Sequence, residues 1–434
     1  MINSRIFVLI QLLIISLFSI HLQAQDKPNI VLIMADDVGA EVLQTYGGES
    51  YSTPNLNKLA ENGLQFNYAF TTPLCTPTRA QVMSGQYPFR NGWTGGIWEQ
   101  PEDNQYMSPS IFNFAQMLKN TGYTTAVAGK WQLARFDNRP DHPENVGFDE
   151  HCLWTWQYDK SLPPGVAMEG PEKPARFWSP GIWQNGKIMQ DVAGKYGPDI
   201  YTNFLLDFME RHQSQPFFVY FPMTLAHFPF VYTPGTTAGG NKQENFTKMV
   251  PYMDMLVGKI VQKLETLGLR ENTLLVFTGD NGTDRNQSSR WKGKPVPGGK
   301  GNMTDAGTRV PLIVSWPGTT PASQQVNHLV DLSDMLPTFA EAAGAEIPPN
   351  HFVDGQSILP LIKGDSGETR DWIFCQLGNQ WFFRTKEYRL HQDGTFYQMK
   401  GFYEPEEITI IDEAATMKVK KELEKAAKIY GLKQ

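Results

Sequence analysis

The sequence predicts an α/β fold, in which a large, mostly parallel sheet is sandwiched by helices and followed by a smaller antiparallel sheet with a helix. Three observations support this fold class. Nearly continuous apolar runs rich in β-branched residues are typical of strands buried on both faces. Helical patterns lie between these runs, and strands that alternate with helices form mostly parallel sheets. Beyond about residue 365, short alternating segments indicate antiparallel strands.

Strands and helices of the large sheet follow one another along the chain. Five apolar runs are predicted as strands, and they span residues 29–34, 124–128, 217–221, 273–278 and 311–316. Segments with helical periodicity span residues 55–62, 110–120, 199–212, 246–267 and 333–343. Pro54 opens the first helix, and Gly122, Gly268 and Gly344 follow three of the others, as expected of helix ends.

The C-terminal part has a different pattern. Four short alternating segments are predicted as strands and span residues 372–377, 380–384, 388–391 and 395–399. Residues 414–430 form an amphipathic helix with Val419, Leu423, Ala426 and Tyr430 on one stripe, which we expect to pack on the small sheet. The predicted organisation is therefore a large α/β domain over residues 26–365 and an α+β subdomain over residues 366–434.

The N-terminus has the pattern of a signal peptide over residues 1–24. Arg5 closes a short polar region, residues 6–20 are mostly apolar, and residues 22–24 form an imperfect cleavage site. The apolar run is short for a membrane span, so an uncleaved anchor is the weaker alternative. We expect an exported protein, periplasmic or secreted, without a membrane span in its mature chain.

Composition excludes several classes of protein. The 434 residues carry a net charge of −7 and are 41% hydrophobic, which is typical of a globular protein with a large core. No basic footprint for nucleic acid is present. The three cysteines, Cys75, Cys152 and Cys375, are too few for a disulfide framework, so at most one pair forms and one thiol is spare.

Chemically active residues follow four of the predicted strands. The pair Asp36-Asp37 follows the first strand, Lys130 the second, His227 the third, and Asp280-Asn281 the fourth; in open α/β sheets ligands bind at these carboxyl ends. Three carboxylates and an amide form an oxygen ligand set suited to Ca²⁺ or Mg²⁺, whereas zinc would require a His or Cys cluster. One acidic pair alone would indicate only a solvated loop. Two pairs in equivalent places favour a metal site.

Three cationic or titratable side chains suit an anionic substrate. Lys130 and Lys300 would present point charges to anionic oxygens, and His227 could protonate a leaving group. Taken singly, each has an ordinary alternative, which is a surface lysine or a hydrogen-bonded core histidine. The glycines around Lys300 do not form a phosphate-binding P-loop, because no Ser or Thr follows the lysine as that motif requires.

The segment Leu-Cys-Thr-Pro-Thr-Arg at residues 74–79 resembles the signature of the formylglycine-dependent sulfatases. Taken alone, Cys75 would be interpreted as a small buried residue where a loop meets a helix. Further segments resemble the same family and cover most of the mature chain: residues 28–37, 53–56, 84–90, 122–131, 278–282 and 307–311. The resemblance implies a large α/β domain with a smaller C-terminal antiparallel sheet and helix.

The resemblance also implies roles for individual residues. Cys75 would be oxidised by a formylglycine-generating or anaerobic sulfatase-maturating enzyme to formylglycine (3-oxoalanine), whose hydrated form attacks sulfur and later releases sulfate. Arg79 would orient this group, Lys130 and Lys300 would bind sulfate oxygens, and His227 would be the general acid. The implied ligands of a divalent cation, usually Ca²⁺ with Mg²⁺ as the alternative, are the modified Cys75 and the side chains of Asp36, Asp37, Asp280 and Asn281.

One position departs from the family pattern. The family usually has a histidine two residues after the lysine of the Gly-Lys-Trp run, and here that position is Gln132. Glutamine can hydrogen-bond a hydroxyl but cannot act as a base at neutral pH. Another base, slower turnover or lost activity are the alternatives, and the otherwise complete motif favours activity.

The expected reaction is hydrolysis of a sulfate ester on a sulfated glycan or its fragments. Aromatic residues between positions 154 and 183 suit stacking on sugar rings, although ordinary loop packing is an equal alternative. At the rim of the site, Arg135, Asp137 and Arg139 could bind hydroxyl groups or a uronate of the substrate. The rival functions are a phosphonate monoester or phosphodiester hydrolase with the same nucleophile and a non-catalytic glycan-binding protein.

Overall fold

The computed structural model describes residues 27–156, 162–170, 173–367, 370–404, 407–408 and 414–432. The predicted signal peptide lies outside these ranges and stays a prediction. Within them, no helix combines the length and the apolar character needed to cross a membrane.

The large sheet contains ten strands within the described ranges. They are β1 Asn29–Ala35, β2 Leu64–Phe70, β3 Thr124–Gly129, β4 Glu150–Trp154, β5 Ile182–Gln184, β6 Lys187–Ile188, β7 Phe217–Pro222, β8 Thr273–Gly279, β9 Leu312–Ser315 and β10 Gln324–Asp331. Their order across the sheet is β10-β2-β9-β8-β1-β7-β3-β4-β5-β6. Strands β8, β1, β7, β3 and β4 pair in parallel, while β9 and β5 run against their neighbours. The predicted fold class is confirmed.

The five predicted strands are β1, β3, β7, β8 and β9, each within one residue of its expected bounds. They were recognisable because every residue of β1, β7, β8 and β9 is buried. The sequence pattern missed β10, an edge strand whose first five residues are exposed or half-buried, so no apolar run marks it. It also missed β2, which pairs with β10 and carries polar residues such as Gln65 and Asn67.

Helices alternate with the strands of the sheet along the chain, and two of those described begin after an asparagine whose side chain caps the helix. The helices are α1 Pro54–Glu61, α2 Cys75–Ser84, α3 Pro88–Asn91, α4 Phe114–Asn120, α5 His142–Asn145, α6 Gly197–Arg211, α7 Lys242–Thr266, α8 Asp305–Thr308, α9 Met335–Ala343, α10 Leu359–Ile362 and α11 Ala414–Ile429. Helix α7 begins four residues earlier than predicted, because Asn241 and Glu244 form a reciprocal capping box, each side chain 3.0 Å from the other's backbone nitrogen.

Helix α2 is the main helix that the sequence pattern missed. All ten of its residues are buried, so it has no polar face and no helical periodicity to recognise. It ends at Gly85, whose φ of 67° is the left-handed conformation that glycine adopts readily at a helix end. This helix matters because its first residue is Cys75.

The described C-terminal residues form a five-stranded antiparallel sheet. Its strands follow in chain order as β11 Ile373–Leu377, β12 Gln380–Arg384, β13 Tyr388–His391, β14 Phe396–Gln398 and β15 Glu407–Ile408. Leu423 and Ala426 of α11 pack against Phe374 and Phe383 of this sheet, with Tyr430 beside them. The predicted packing of the amphipathic helix on the small sheet is therefore confirmed.

A buried ion pair joins the small sheet to the large one. Arg384 of β12 donates to both carboxylate oxygens of Asp305 at the start of α8, at 3.1 and 2.8 Å. Both side chains are almost fully buried, and the guanidinium also lies 4.6 Å from the centre of the Phe70 ring in β2. The C-terminal sheet is thus connected to the segment that follows Lys300.

Replacing Arg384 with methionine is expected to lower the free energy of unfolding by about 3–5 kcal/mol, because the buried Asp305 carboxylate would lose its hydrogen-bonded partner and keep, among the described residues, only Arg389, whose Nη1 lies 4.0 Å away. Chemical denaturation followed by intrinsic fluorescence measures the change. The matched control is Lys294→Met, which breaks an exposed pair with Glu404 and should cost about 0–1 kcal/mol. Equal losses in the two variants would contradict the prediction.

Candidate active site

The predicted site residues converge at the carboxyl ends of four adjacent strands. Asp36, Lys130 and Asp280 directly follow β1, β3 and β8, and His227 lies five residues beyond the end of β7. Because the order β8-β1-β7-β3 makes these strands neighbours, residues far apart in sequence reach each other, such as Asp37 and Asn281, which are 244 positions apart. Asn281 and Lys300 complete the group from the loops that follow β8.

Three buried carboxylates lie beside two buried cations, Arg79 and Lys130, and the half-buried Lys300. The Lys130 Nζ lies 2.8 Å from both oxygens of Asp36. The Arg79 Nη2 lies 2.7 Å from Asp280 Oδ2, and the Lys300 Nζ lies 2.7 Å from Asp37 Oδ1. All three carboxylates are fully buried, so these pairs are held in a region of low dielectric, where electrostatic interactions are strong.

Burial and the neighbouring charges do not shift the pKa values of the three carboxylates in the same direction. Burial and, to a lesser extent, the neighbouring Asp36 carboxylate together raise the pKa of Asp280 to about 7, against the opposing effect of Arg79. Burial also raises the pKa of Asp37, more than the adjacent Lys300 lowers it. For Asp36, burial acts upward as well, but Lys130 and Arg79 outweigh it and lower the pKa overall. A further positive charge would favour the ionised form of all three groups.

The donor set fits a hard divalent cation. Asn281 Oδ1 is buried and has no hydrogen-bond partner among the described residues, while its Nδ2 donates to Asp37 Oδ1 at 2.8 Å. An orphaned buried oxygen next to three carboxylates is the ligand type that Ca²⁺ and Mg²⁺ prefer. Ligand atoms of Asp36, Asp37 and His227 also lie within 4.8 Å of one another, so the described residues contain a group able to hold a metal.

Cys75 lies at the start of α2, beside this cluster. The residue is 1% exposed, and Arg79, one helical turn further along, extends its guanidinium to Asp280. The backbone nitrogen of Gly301 donates to Pro73 O at 2.7 Å, which ties the Lys300 loop to the segment that precedes Cys75. The nucleophile position and one of the site lysines are therefore fixed to each other.

The Lys130 segment is held by its backbone. Gly129 has a φ of 119°, and an added Cβ would lie 2.1 Å from Pro222 O, so only glycine fits there. The Lys130 nitrogen donates to the same carbonyl at 2.7 Å, and Arg79 Nη1 donates to Lys130 O at 2.8 Å. Gln132 adopts a left-handed backbone with a φ of 54°, and its buried Oε1 has no partner among the described residues.

His227 faces the cluster through one ring nitrogen and a buried arginine through the other. Its Nε2 lies 3.7 Å from Asp37 Oδ2, while its Nδ1 lies 2.8 Å from Arg176 Nη1 and 2.5 Å from Phe228 O. Burial lowers the pKa of His227 well below its usual range, and the charges of Lys300, Lys130 and Arg176 lower it further. The ring is therefore neutral at neutral pH and can donate a hydrogen bond through one nitrogen only.

Arg176 was not predicted as a site residue. It lies 51 positions before His227, and no motif marks it, because a lone arginine in an aromatic-rich loop has no distinguishing pattern in sequence. Its contact with His227 depends on tertiary structure alone.

The aromatic loop residues mostly pack inside the protein. Trp154, Trp156 and Phe177 are buried, so loop packing rather than sugar stacking accounts for them. Trp178 and Trp183 are half-buried, and Tyr158 lies outside the described ranges. At the proposed rim, Arg135 is mostly buried and paired with Asp137, and the Arg139 guanidinium lies 4.4 Å from the centre of the Tyr106 ring.

Comparison of the sequence with known proteins identifies matching families and relatives. The model of the family described as Sulfatase matches residues 28–345, and the model described as N-sulphoglucosamine sulphohydrolase, C-terminal, matches residues 299–426. The chain is 28% identical to human (Homo sapiens) arylsulfatase D over 431 residues, covering 81% of this chain and 71% of the relative. It is 32% identical to mouse (Mus musculus) N-acetylgalactosamine-6-sulfatase over 375 residues, covering 82% and 70%.

Solved structures share the fold. The crystal structure of Ps i-CgsB superposes with a TM-score of 0.77 at 24% identity and covers 93% of each chain. A structure of a protein in complex with its substrate D-glucosamine-2-N,6-O-disulfate superposes with a TM-score of 0.69 at 18% identity, covering 94% of this chain and 98% of the other.

Proposed function

This chain belongs to the sulfatase family and is a sulfuric ester hydrolase, and from that premise we propose that it removes sulfate from a sulfated carbohydrate with a formylglycine made from Cys75. The observation that carries the proposal is the cluster of three buried carboxylates, each paired with a cation, beside Cys75. A sulfate monoester is anionic, and its cleavage develops charge on the leaving oxygen. The cluster supplies fixed positive charges for such a group.

The chain's own residues divide this work between them. Lys130 and Lys300 would bind the sulfuryl oxygens, and the carboxylate partner of each lysine keeps its ammonium group in place. Burial lowers the pKa of Lys300, but the Asp37 carboxylate more than reverses this, so the group stays charged. His227 would donate a hydrogen bond from Nε2 to the leaving oxygen and stabilise the charge that develops there; transfer of a proton, as predicted for the general acid, would require the ring to be protonated first. Arg79 would orient the modified residue 75.

Asp36, Asp37, Asp280 and Asn281 would hold a divalent cation, which we propose to be Ca²⁺, the ion that the family resemblance implies; the oxygen donors also suit Mg²⁺, which is the alternative. When bound, the cation would withdraw negative charge from sulfate oxygens and lower the pKa of the attacking hydroxyl. The modified residue 75 would supply that hydroxyl. Gln132 would accept a hydrogen bond from this group through the Oε1 that has no partner among the described residues.

The carbohydrate part of the proposal rests on the relatives. The name N-acetylgalactosamine-6-sulfatase assigns a sulfated amino sugar to the mouse relative, and the match to the C-terminal sulphohydrolase model covers the small sheet of this chain. We further propose export through the predicted signal peptide at residues 1–24, after maturation by a formylglycine-forming enzyme. The domain boundary near residue 365 is proposed on the change from the large sheet to the small one.

Sulfate release from a panel of substrates tests the proposed function. Protein with a matured residue 75 is incubated with sulfated monosaccharides and oligosaccharides, with an aryl sulfate and with an aryl phosphodiester, and free sulfate is measured by ion chromatography. We expect sulfate from at least one sugar, at a higher kcat/KM than the phosphodiester gives. Cleavage of the phosphodiester alone, or of the aryl sulfate alone, would overturn the proposal for a sulfated carbohydrate.

Replacing Gln132 with histidine is expected to raise kcat, because it restores an ionisable base where the family usually has one. The left-handed backbone at this position is one that histidine tolerates. The rate should also acquire a pH dependence near the usual histidine pKa of about 6.5. Initial rates between pH 5 and about 9 measure the effect. The control Gln132→Asn keeps an amide without adding a base, and a matching rise there would contradict the explanation.

A further inference from the structure

Arg176 is a buried cation that reaches the site from an unrelated part of the chain. Its side chain is 2% exposed. The Glu169 carboxylate lies 3.4 Å from its Nε and accepts a 2.9 Å hydrogen bond from its backbone nitrogen. Its guanidinium carbon lies 4.1 Å from the centre of the Trp154 ring. An ion pair, a backbone hydrogen bond and the Trp154 ring therefore hold the guanidinium in the position from which it contacts His227.

The contact with Arg176, taken by itself, determines whether His227 Nδ1 carries a proton. A guanidinium has five N–H donors and no acceptor, so at 2.8 Å Arg176 Nη1 can only donate to His227 Nδ1. The Nδ1 atom must then carry a lone pair. In a neutral imidazole the single proton is therefore on Nε2, the nitrogen that faces Asp37.

A competing arrangement exists on the same side of the ring. Phe228 O lies 2.5 Å from Nδ1, and a carbonyl oxygen can only accept. Without Arg176, a proton on Nδ1 would satisfy this carbonyl and leave Nε2 as a bare lone pair. That tautomer could not donate a hydrogen bond to a leaving oxygen.

We propose that Arg176 is a positioning residue that holds His227 in the tautomer with its proton on Nε2. The role deepens the proposed function, on which it rests, because it determines which nitrogen of His227 presents hydrogen to the leaving group. Arg176 acts through His227. A second cation on the same carboxylate, Lys173, lies 3.2 Å from Glu169 and makes no hydrogen bond to His227, so it is a matched control.

Long-range ¹H–¹⁵N correlation spectra of histidine-labelled protein report the tautomer directly. The His227 signals are identified by their loss in His227→Ala. We expect an Nε2–H ring in the wild type and in Lys173→Met, and a shift toward Nδ1–H in Arg176→Met. Arg176→Lys, which keeps a charged donor, should restore the Nε2–H form at least in part. An Nδ1–H ring in the wild type, or an unchanged ring in Arg176→Met, would overturn the proposal.

Kinetics connect the tautomer to the reaction. Arg176→Met should lower kcat/KM by about 10- to 100-fold, the loss typical when a group that orients a functional histidine is removed. The loss should grow as the aryl sulfate leaving group becomes less acidic, and it should vanish in a His227→Ala background. An additive loss in the double variant would overturn the role through His227. Absence of sulfate release from any substrate by the wild type would instead refute the proposed function, while the spectra would still decide the tautomer.

Discussion

Replacing Cys75 with alanine is expected to abolish sulfate release, with a fall in kcat of about 10⁴- to 10⁶-fold, the range that follows removal of a catalytic nucleophile. Alanine cannot be converted to an aldehyde, and the cations around the site would then bind substrate without a nucleophile beside it. Helix α2 should still form, because the side chain lost is small and buried. Retention of substrate binding with loss of turnover is the expected signature.

The other two cysteines are internal controls for this result. Cys152 lies in β4 and Cys375 in β11, both are buried, and burial raises the pKa of each thiol. Cys152→Ala and Cys375→Ala should therefore keep activity in the protein that stays folded. Mass spectrometry of the tryptic peptide at residues 59–79 checks the chemistry, because exchange of the thiol for an aldehyde lowers its mass. A fully active wild type with an unmodified Cys75 would refute the formylglycine mechanism.

Replacing Asp280 with asparagine is expected to remove Ca²⁺ binding and to lower kcat/KM by more than about 100-fold. This loss is larger than the loss of about 10- to 100-fold that is typical of residues that only support the metal ligands, because Asp280 would itself be a ligand. The carboxylate joins the cluster by accepting the Asp37 backbone N–H at 3.0 Å and the Arg79 guanidinium at 2.7 Å. Thermal or chemical unfolding with added Ca²⁺ measures binding separately from activity. At 100 times Kd, a ligand of the folded state adds about 2.7 kcal/mol.

The wild type should gain this stabilisation and Asp280→Asn should not. Asp284, four residues further along the same loop and only half-buried, provides the control carboxylate, and Asp284→Asn should keep the gain. Equal stabilisation of wild type and Asp280→Asn by Ca²⁺ would exclude Asp280 as a ligand.

The raised pKa of Asp280 adds a pH dependence with a defined sign. The folded protein without metal holds this proton up to about pH 7, whereas the unfolded chain releases it near 3.8. The stability due to this group is therefore present at low pH and is lost as the pH rises through about 7. Asp280→Asn should flatten that loss in unfolding measured without metal. A steeper loss in the variant would contradict the assignment.

Sequence patterns predicted the central strands and the residues at their ends, because buried parallel strands leave long apolar runs and the chemistry follows each run directly. Asp36, Lys130 and Asp280 are of this kind. Patterns did not reveal β10, whose exposed edge lacks an apolar run, or α2, which is buried on every side. Both lack the contrast between polar and apolar faces on which periodicity depends.

The contact between Arg176 and His227 could not be predicted from the sequence, for a different reason. Neither residue carries a motif, and the pair is created by the folding of a loop onto the end of β7. The aromatic residues of that loop drew attention as a sugar surface, whereas Trp154 stacks on the arginine that holds the histidine. Of the two alternatives that the sequence left open for these residues, loop packing accounts for those that are buried.

The burial of Cys75 has a consequence for the order of events during biosynthesis. Under the proposed function, a maturating enzyme would have to reach the Cys75 thiol, yet in the folded protein this residue is 1% exposed and all of α2 is buried. The proposed conversion would therefore have to precede the folding that buries this helix. A chain that folds first would keep its thiol. The relative rates of modification and folding during synthesis would therefore determine the fraction of active molecules.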